Sequence, residues 1–339
     1  MVLLYIIYAI LAFSILIIIH ELGHFTMAKL NNVKVEEFSL GMGPKIVSRQ
    51  GKETNYMIKA FPIGGYVKML GEQDESEDPR AFNNKSPLQK LSIIIAGPIM
   101  NLLLGILLFA VIASSKGYAA PIISSLVPDQ PAQSAGLQTG DELLKVDGSK
   151  ILTWEDFVTK IYTSKGKTLQ VTYSRNNVVS TVDMTPVLDS ELNRYVVGIY
   201  PTAITSPNLL QSARYGFIES WSLAKQTFSF LGTLVMGKAS MNDFGGPITI
   251  IKYTGEAAKA GIPVLINFAA YISIQLAIFN IIPFPALDGG YIFLYLFEII
   301  TGKKVDENKV GLINYIGFAI LMALMILVTI KDIFYPINL

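Results

Sequence analysis

Long apolar stretches constrain this chain more than any other feature of its sequence. Residues 2–19 are eighteen residues without a charge, and residues 91–113 and 312–330 form two further stretches of similar character. A helix needs about 20 apolar residues to cross a hydrocarbon layer of about 30 Å. These stretches therefore predict a polytopic α-helical membrane protein.

A further apolar region, residues 264–300, is too long for one straight crossing. Its second half contains "NIIPFPALDGG" at 280–290, in which two prolines and two glycines fall within eleven residues. Proline interrupts helical hydrogen bonding, and irregular backbone at membrane depth occurs where protein shields it or a wet cavity adjoins it. We expect four spans with the third one broken, at 1–30, 91–115, 264–300 and 312–331.

The distribution of cationic residues predicts the orientation of these spans. Residues 25–90 contain ten lysines and arginines, and the short loop 301–311 contains three lysines. Short loops rich in Lys and Arg stay on the cytosolic side. The amino terminus, the segment between the second and third spans, and the short tail should then lie outside.

The cytosolic region 31–90 has a pattern typical of short strands. Tyr56, Ile58 and Ala60 alternate with other residues, "PIGG" at 62–65 has turn chemistry, and "YVKM" follows at 66–69. This predicts a hairpin sheet. It is either a simple cap or a sheet edge held near the membrane, where an extended peptide could add as another strand.

The outer segment differs in character from the spans. Residues 117–201 contain strands such as "TLQVTYSR" and "VVSTVDMTP" with Asn-Asn and Gly turns, which predict a soluble β-rich domain. Residues 202–263 form a linker segment. Its stretch 209–237 carries Arg214, Glu219 and Lys225, so an amphipathic helix is expected there, with a fifth span as the alternative.

The chain contains two histidines and no cysteine, and both histidines lie in "HELGHF" at the end of the first span. His20 and His24 are four residues apart and therefore share one helix face. In H-E-x-x-H, two imidazoles bind zinc and the intervening glutamate, here Glu21, is the general base. Ionisable groups inside a membrane are costly, so the cluster predicts a functional metal site.

A catalytic zinc ion usually has three protein ligands, so a third is needed. Asp288, at the break of the third span, is the expected ligand, and Glu298 is its competitor. Asp288 could alternatively cap the helix that follows it. Asn280 could either cap free carbonyls at the break or donate a hydrogen bond to a substrate carbonyl.

The motifs "HELGHF" and "NIIPFPALDGG" are accompanied by six further strings, and together they cover nearly the whole chain in order. The six are "GMGP", "FPIGGYVKM", "DPRAFNNKSP", "AGPIMN", "PAQSAGLQTGDELLKVDGSKI" at 131–151, and "GGPI". The chain resembles the site-2 protease family of intramembrane zinc metalloproteases, in its bacterial PDZ-containing branch similar to regulator of sigma-E protease. Met42 and Leu102 stand where many relatives have Phe, and one PDZ domain stands where the enterobacterial form has two.

The resemblance implies a role for each singled-out residue. Zinc would be held by His20, His24 and Asp288, with Glu21 as base. The hairpin would be the family's membrane-reentrant β-loop, and substrate contacts would involve Asn280, Gly64, Gly65 and Tyr66. Pro98 and Asn101 would match the second-span motif, in which the asparagine supports helix packing.

The resemblance also implies a multi-pass protein of the bacterial inner membrane with its active site toward the cytosol and its PDZ domain outside. Its substrates would be single-pass membrane proteins, such as anti-sigma factors or remnant signal peptides. A net charge of +1 does not favour nucleic-acid binding. A metal-dependent PDZ scaffold and a metal transporter are the alternatives from other functional classes. Glu21 argues against the scaffold, because a purely structural metal site does not need a base. The scarcity of polar groups in spans two and four argues against the transporter.

Overall fold

The computed structural model describes residues 2–72, 76–190, 193–237 and 245–335. Small parts of the predicted regions 31–90, 117–201 and 202–263 thus lie outside the described residues. The chain divides into two compact units, each described here by itself. The helical unit comprises Met1–Leu108 and Gln226–Leu339, and the sheet unit comprises Phe109–Lys225.

In the described part of the chain the helices are α1 (Val2–Leu30), α2 (Pro87–Lys116), α3 (Pro131–Ser134), α4 (Trp154–Thr163), α5 (Leu209–Val235), α6 (Pro247–Ala260), α7 (Ile262–Ile281), α8 (Asp288–Thr301) and α9 (Glu307–Phe334). The strands are β1 (Val35–Gln50), β2 (Asn55–Met69), β3 (Tyr118–Leu126), β4 (Glu142–Val146), β5 (Ser149–Lys150), β6 (Leu169–Arg175), β7 (Val178–Met184), β8 (Val187–Asp189), β9 (Arg194–Val196) and β10 (Ile199–Ile204).

Four helices are long and apolar enough to cross a membrane among the described residues. They lie in α1, α2, α7 and α9, which confirms the expected number of apolar helices. The helices α2 and α9 extend beyond the predicted bounds at both ends. The third apolar region is broken as expected, because α7 ends at Ile281 and α8 begins at Asp288.

The predicted direct pairing of the two segments on either side of 62–65 is wrong, although the chain does reverse direction between them. β1 and β2 are antiparallel, and the turn between them lies at 51–54, where the Gly51 amide donates to the Thr54 carbonyl. Residues 38–40 pair on one side with 65–67 and on the other with 56–58. The two segments expected to pair with each other therefore flank β1 instead, which leaves 65–68 at an edge of the sheet.

A buried cluster of apolar side chains joins the sheet to the helices of the same unit. Its members come from the end of α1, both strands, the start of α2, and α8. They include Ala28, Val35, Met69, Ile93 and Ile292. Burying such side chains contributes roughly 1.5–3 kcal/mol each. The sheet is thus fixed against the same helices that carry the histidines and Asp288.

The sheet unit has the strand order β10-β3-β4-β6-β7, with β5 paired to β4. Its turns confirm the sequence predictions. Asp147 and Gly148 have positive φ angles between the paired residues Val146 and Ser149, as a two-residue hairpin requires. Asn176 and Asn177 form the corresponding turn between β6 and β7.

The predicted linker region 202–263 contains two helices in the part that the structure describes. α5 covers most of the stretch expected to be amphipathic, and α6 was not foreseen. Polar groups of α5 are used inside the sheet unit: the Ser222 hydroxyl donates to Asp156 at 2.5 Å and Lys225 Nζ to the Lys150 carbonyl at 2.7 Å. Such contacts with α4 and β5 favour an amphipathic helix over a fifth span.

Candidate metal centre

The two histidines lie on one face of α1, as their spacing predicts. The imidazole rings of His20 and His24 are 4.8 Å apart between centroids, and their Nε2 atoms are 3.2 Å apart. Both rings therefore point their Nε2 atoms at the same small volume. This follows from helix geometry alone, since residues i and i+4 are neighbours on the helix surface.

Asp288 is brought to these histidines by the break between α7 and α8. It is the first residue of α8, and the N-cap position of this helix is occupied by Leu287. Its Oδ2 atom lies 3.1 Å from His20 Nε2 and 3.4 Å from His24 Nε2. The Asp288 carboxylate therefore faces the two histidines, and Asp288 is not the N-cap of α8.

The distances among these three atoms fit a tetrahedral metal ion. Zinc binds nitrogen and oxygen at about 2.0–2.1 Å, so two of its tetrahedral ligands are about 3.3 Å apart. The observed separations of 3.1, 3.2 and 3.4 Å match that value. Asp288 Oδ2 is also buried, with no hydrogen-bond partner in the part of the chain that the structure describes. Such an atom is costly unless a cation binds it.

The outer nitrogen of each imidazole has a protein partner. His24 Nδ1 lies 3.0 Å from the Ile93 carbonyl oxygen, so it carries the proton and leaves Nε2 free as a ligand. His20 Nδ1 lies 3.4 Å from the Asn101 amide nitrogen, while Asn101 Oδ1 is buried and has no partner among the described residues. Rotating that amide by 180° would let His20 Nδ1 donate to Oδ1 and satisfy both atoms.

Gly97 of α2 provides the space that the imidazoles occupy. A Cβ atom added there would lie 2.6 Å from His24 Cε1 and 2.8 Å from His20 Cε1. It sits beside Pro98 in the quoted "AGPIMN" motif. The motif therefore contributes to the candidate metal centre in two ways. Gly97 leaves room for the imidazoles, and Asn101 lies beside His20 Nδ1.

Glu21 lies between the metal centre and the sheet edge. A Cβ atom added at Gly65 would be 2.9 Å from the Ser39 carbonyl oxygen, 3.0 Å from Glu21 Cγ and 3.2 Å from Ile17 Cγ2. The absence of a side chain at Gly65 thus lets β2 approach the glutamate of the H-E-x-x-H motif. Gly64, with φ of 83°, packs against Met42 instead.

The remaining predicted residues lie outside the ligand cluster. Tyr66 receives a hydrogen bond from Lys59 at 2.9 Å and donates its hydroxyl proton to Glu37. Asn280 is half-buried in the last turn of α7, and no hydrogen bond of its side chain occurs among the described residues. Glu298 accepts a hydrogen bond from the Val305 amide at 3.2 Å and is not the third member of the cluster.

Sequence reasoning missed two residues that shape the centre, Gly97 and Asn314. Asn314 Oδ1 accepts a hydrogen bond from the Ala286 amide, two residues before Asp288. It is the only asparagine in the apolar stretch 312–330. An isolated polar residue in a span is a functional signal, and this one could have been found.

Comparison with known proteins identifies the class. The model of peptidase family M50 matches residues 8–324. A Clostridium acetobutylicum protein with a provisional zinc metalloprotease name is 51% identical over 98% of both chains. Zinc metalloprotease RasP of Geobacillus kaustophilus is 30% identical, covering 96% of each chain. Regulator of sigma-W protease RasP of Bacillus subtilis is 28% identical, covering 96% of this chain and 97% of its own.

The fold and the site thus define a metalloprotease with several apolar helices. The chain belongs to peptidase family M50, which confirms the resemblance to the site-2 protease family. Among solved structures, the PDZ domain of an SdrC-like protein from Listeria monocytogenes matches 25% of this chain and 90% of its own, with 22% identity and a TM-score of 0.23.

Proposed function

We propose that this protein is an intramembrane zinc protease that hydrolyses a peptide bond in or beside the transmembrane segment of another protein. The observation that carries the proposal is the convergence of His20, His24 and Asp288 on one point at tetrahedral ligand spacing, beside Glu21 on an apolar helix. The relatives named as zinc metalloproteases support zinc as the ion.

Zinc bound by these three residues would polarise the scissile carbonyl and lower the pKa of a water molecule to about 7. The Glu21 carboxylate accepts a proton from the attacking water and then donates it to the leaving amide nitrogen. His24, held through Nδ1 by the Ile93 carbonyl, keeps its Nε2 directed at the centre. Asn280 is proposed to donate to the substrate carbonyl as it gains negative charge.

The edge of β2 is proposed to hold the substrate. A helical substrate must unwind before its carbonyls are accessible, and unpaired backbone groups inside a membrane are costly. Residues 65–68 pair with β1 on one side and, within the described residues, with no strand on the other. An extended substrate could add there, and Gly65 and Tyr66 would bring it beside Glu21.

We further propose that the centre lies near the cytosolic face. His20 follows Val2 by eighteen residues, so a helix rising 1.5 Å per residue places it about 27 Å along α1. That length is close to a hydrocarbon thickness of about 30 Å. The chain has no cysteine, so single cysteines at Lys303 and Ser180 allow clean labelling in intact cells. Impermeant maleimide should modify only the second, and the reverse pattern would contradict the proposed orientation.

Single-pass membrane proteins, such as anti-sigma factors or remnant signal peptides, are the proposed substrates. The Bacillus subtilis relative is named regulator of sigma-W protease, which connects that protein with sigma-W. The outer unit, proposed as a PDZ domain, would admit substrates that an earlier cleavage has shortened. A cavity of about 630 Å³ between α4 and β10 supports this role. Its aromatic lining includes Trp154, Phe157 and Tyr195.

The filter role can be tested by filling that cavity. Val158 of α4 lines it, so Val158→Trp should change the ratio of cleavage rates for shortened and full-length substrates. Val178 of β7 is exposed and outside the lining, so Val178→Trp is the matched control. An unchanged ratio in both variants would remove the cavity from substrate selection.

The central test compares Glu21→Gln with the parent enzyme in nanodiscs, using a single-pass substrate. Loss of a general base lowers the rate by about 10²–10⁴-fold, while zinc content should stay the same. Glu256→Gln is the control, since Glu256 is 48% exposed and pairs only with Lys259 within the described residues. Undiminished cleavage by Glu21→Gln would refute the mechanism, and a PDZ scaffold would give no cleavage by any form.

A further inference from the structure

The loop that presents Asp288 contains a strained residue. Ala286 has a φ of 70°, in the left-handed region that non-glycine residues rarely adopt. Such a conformation costs of the order of 1–3 kcal/mol and persists only when surrounding contacts hold it. Ala286 precedes Asp288 by two residues, so whatever holds Ala286 also fixes the direction in which the Asp288 carboxylate leaves the chain.

One side chain of α9 holds this loop from both directions. Asn314 Oδ1 accepts a hydrogen bond from the Ala286 amide at 3.1 Å. Its Nδ2 atom donates to the Tyr291 hydroxyl at 2.8 Å. The Asn314 amide therefore connects a residue just before Asp288 with a residue in the first turn of α8 just after it.

The backbone of α9 also approaches the loop closely. Gly317 lies one turn after Asn314 on the same helix face. A Cβ atom added at Gly317 would lie 2.5 Å from Pro285 Cβ and 2.7 Å from the Pro285 carbonyl oxygen. Hydrogen bonding at Asn314 and close packing at Gly317 thus act on neighbouring residues of the same loop.

We propose that Asn314 is a positioning residue for the metal centre, which acts by holding the Asp288 loop in its strained conformation. The proposal rests on the ligand set proposed above. Ligands must be held within about 0.5 Å of the productive geometry, which a strained loop cannot achieve without outside contacts. The last span, which contributes no member of the cluster in the described residues, thereby helps to set the affinity for the ion.

The first test is the zinc dissociation constant of the full-length protein in nanodiscs, measured by competition with a chelating dye. Loss of a residue that supports a ligand typically weakens metal binding by about 10–100-fold. We expect that loss for Asn314→Ala, and a similar loss for Gly317→Ala, which acts sterically. Tyr315→Phe is the control, because Tyr315 is adjacent and 73% exposed. It should bind zinc like the parent.

A second measurement separates positioning from a general loss of stability. Glycine adopts a φ of 70° without strain. When Ala286→Gly is added to Asn314→Ala, the zinc affinity of the double variant should therefore be at least about tenfold higher than that of Asn314→Ala alone. In zinc-saturated protein, Asn314→Ala should lower kcat while KM stays within about twofold, because Asn314 lies behind the ligand and does not meet the substrate.

Asp288→Asn distinguishes the two levels of the proposal. If Asp288→Asn keeps parental zinc affinity, the ligand set is wrong. If Asp288→Asn loses zinc but Asn314→Ala binds zinc and turns over like the parent, the ligand set stands and the positioning role is refuted. An Asn314→Ala defect that Ala286→Gly leaves untouched would also refute it, since strain in the loop would then play no part.

Discussion

A single methyl group at Gly97 should disable the metal centre while leaving its ligands in the sequence. In Gly97→Ala, the new Cβ would lie 2.6 Å from His24 Cε1 and 2.8 Å from His20 Cε1. An ordinary carbon contact needs about 3.5 Å, so the His24 ring must retreat by about 0.9 Å. That ring is fixed on its far side by the Ile93 carbonyl, at 3.0 Å.

The cost follows from this geometry. Overpacking a well-packed site costs typically 1–3 kcal/mol, and here relief comes from displacing the imidazoles. We therefore expect zinc affinity to fall by about 10–100-fold, which corresponds to about 1.4–2.8 kcal/mol. Alanine is the better helix former, by about 1 kcal/mol, so α2 itself should not be weakened.

Gly105→Ala is the matched control for this substitution. It lies in the same helix, and its new Cβ would lie 2.7 Å from Cγ1 of the buried Ile274 side chain and 3.2 Å from the Ala270 carbonyl oxygen, neither of which belongs to a proposed ligand. Zinc competition and protease activity should therefore be near parental in Gly105→Ala and low in Gly97→Ala. Parental zinc affinity in Gly97→Ala would show that the imidazoles do not occupy the space beside α2.

Three further predictions concern other parts of the chain. Burial and the nearby Glu155 raise the pKa of Glu219 to about 8. The folded state then binds more protons than the unfolded state between about pH 4.5 and 8, so stability should fall with rising pH there, by up to about 1.4 kcal/mol per unit. Melting temperatures should show this slope in the parent, and Glu219→Gln should flatten it. Two cationic partners lower the pKa of Glu53, in the β1–β2 turn, to about 2. Its ion pairs stabilise the turn above about pH 4.5 and are lost as pH falls toward 2, although such exposed pairs contribute at most about 1 kcal/mol. Proteolysis in the turn should therefore rise below about pH 4. Glu53→Gln should abolish that pH dependence. Gly65→Ala should lower kcat while leaving zinc affinity unchanged, because the added methyl meets the Ser39 carbonyl oxygen of β1 and Glu21 Cγ but none of the proposed ligands.

The parts of the fold that depend on local chemistry could be predicted from sequence. Apolar length predicted the candidate spans, the 3.6-residue repeat placed His20 beside His24, and the Asp147-Gly148 pair marked a hairpin turn correctly. Each of these follows from residues close together in the chain. Asp288 could be proposed as the third ligand because a carboxylate in an apolar region is costly unless another group or an ion pairs with it.

Pairing between distant segments was harder to predict. The segment 62–65 has good turn chemistry, but both flanking segments pair with β1 and not with each other. Alternation along β2 identifies a strand and its faces but carries no information on its partner. Gly97 was equally difficult, because the need for a missing side chain appears only when the imidazoles lie against α2.

The origins of the three proposed ligands make the centre unequally sensitive to change. Helix geometry places His20 and His24 on one face of α1, so most substitutions within α1 that keep it helical should preserve the pair, while α2 determines the space for the rings at Gly97. Asp288 instead depends on a strained loop and on α9 behind it. Glu21 depends on the approach of β2 at Gly65. Substitutions around the break between α7 and α8 should therefore reduce mainly zinc affinity. Substitutions in the β1–β2 sheet should reduce mainly the turnover rate.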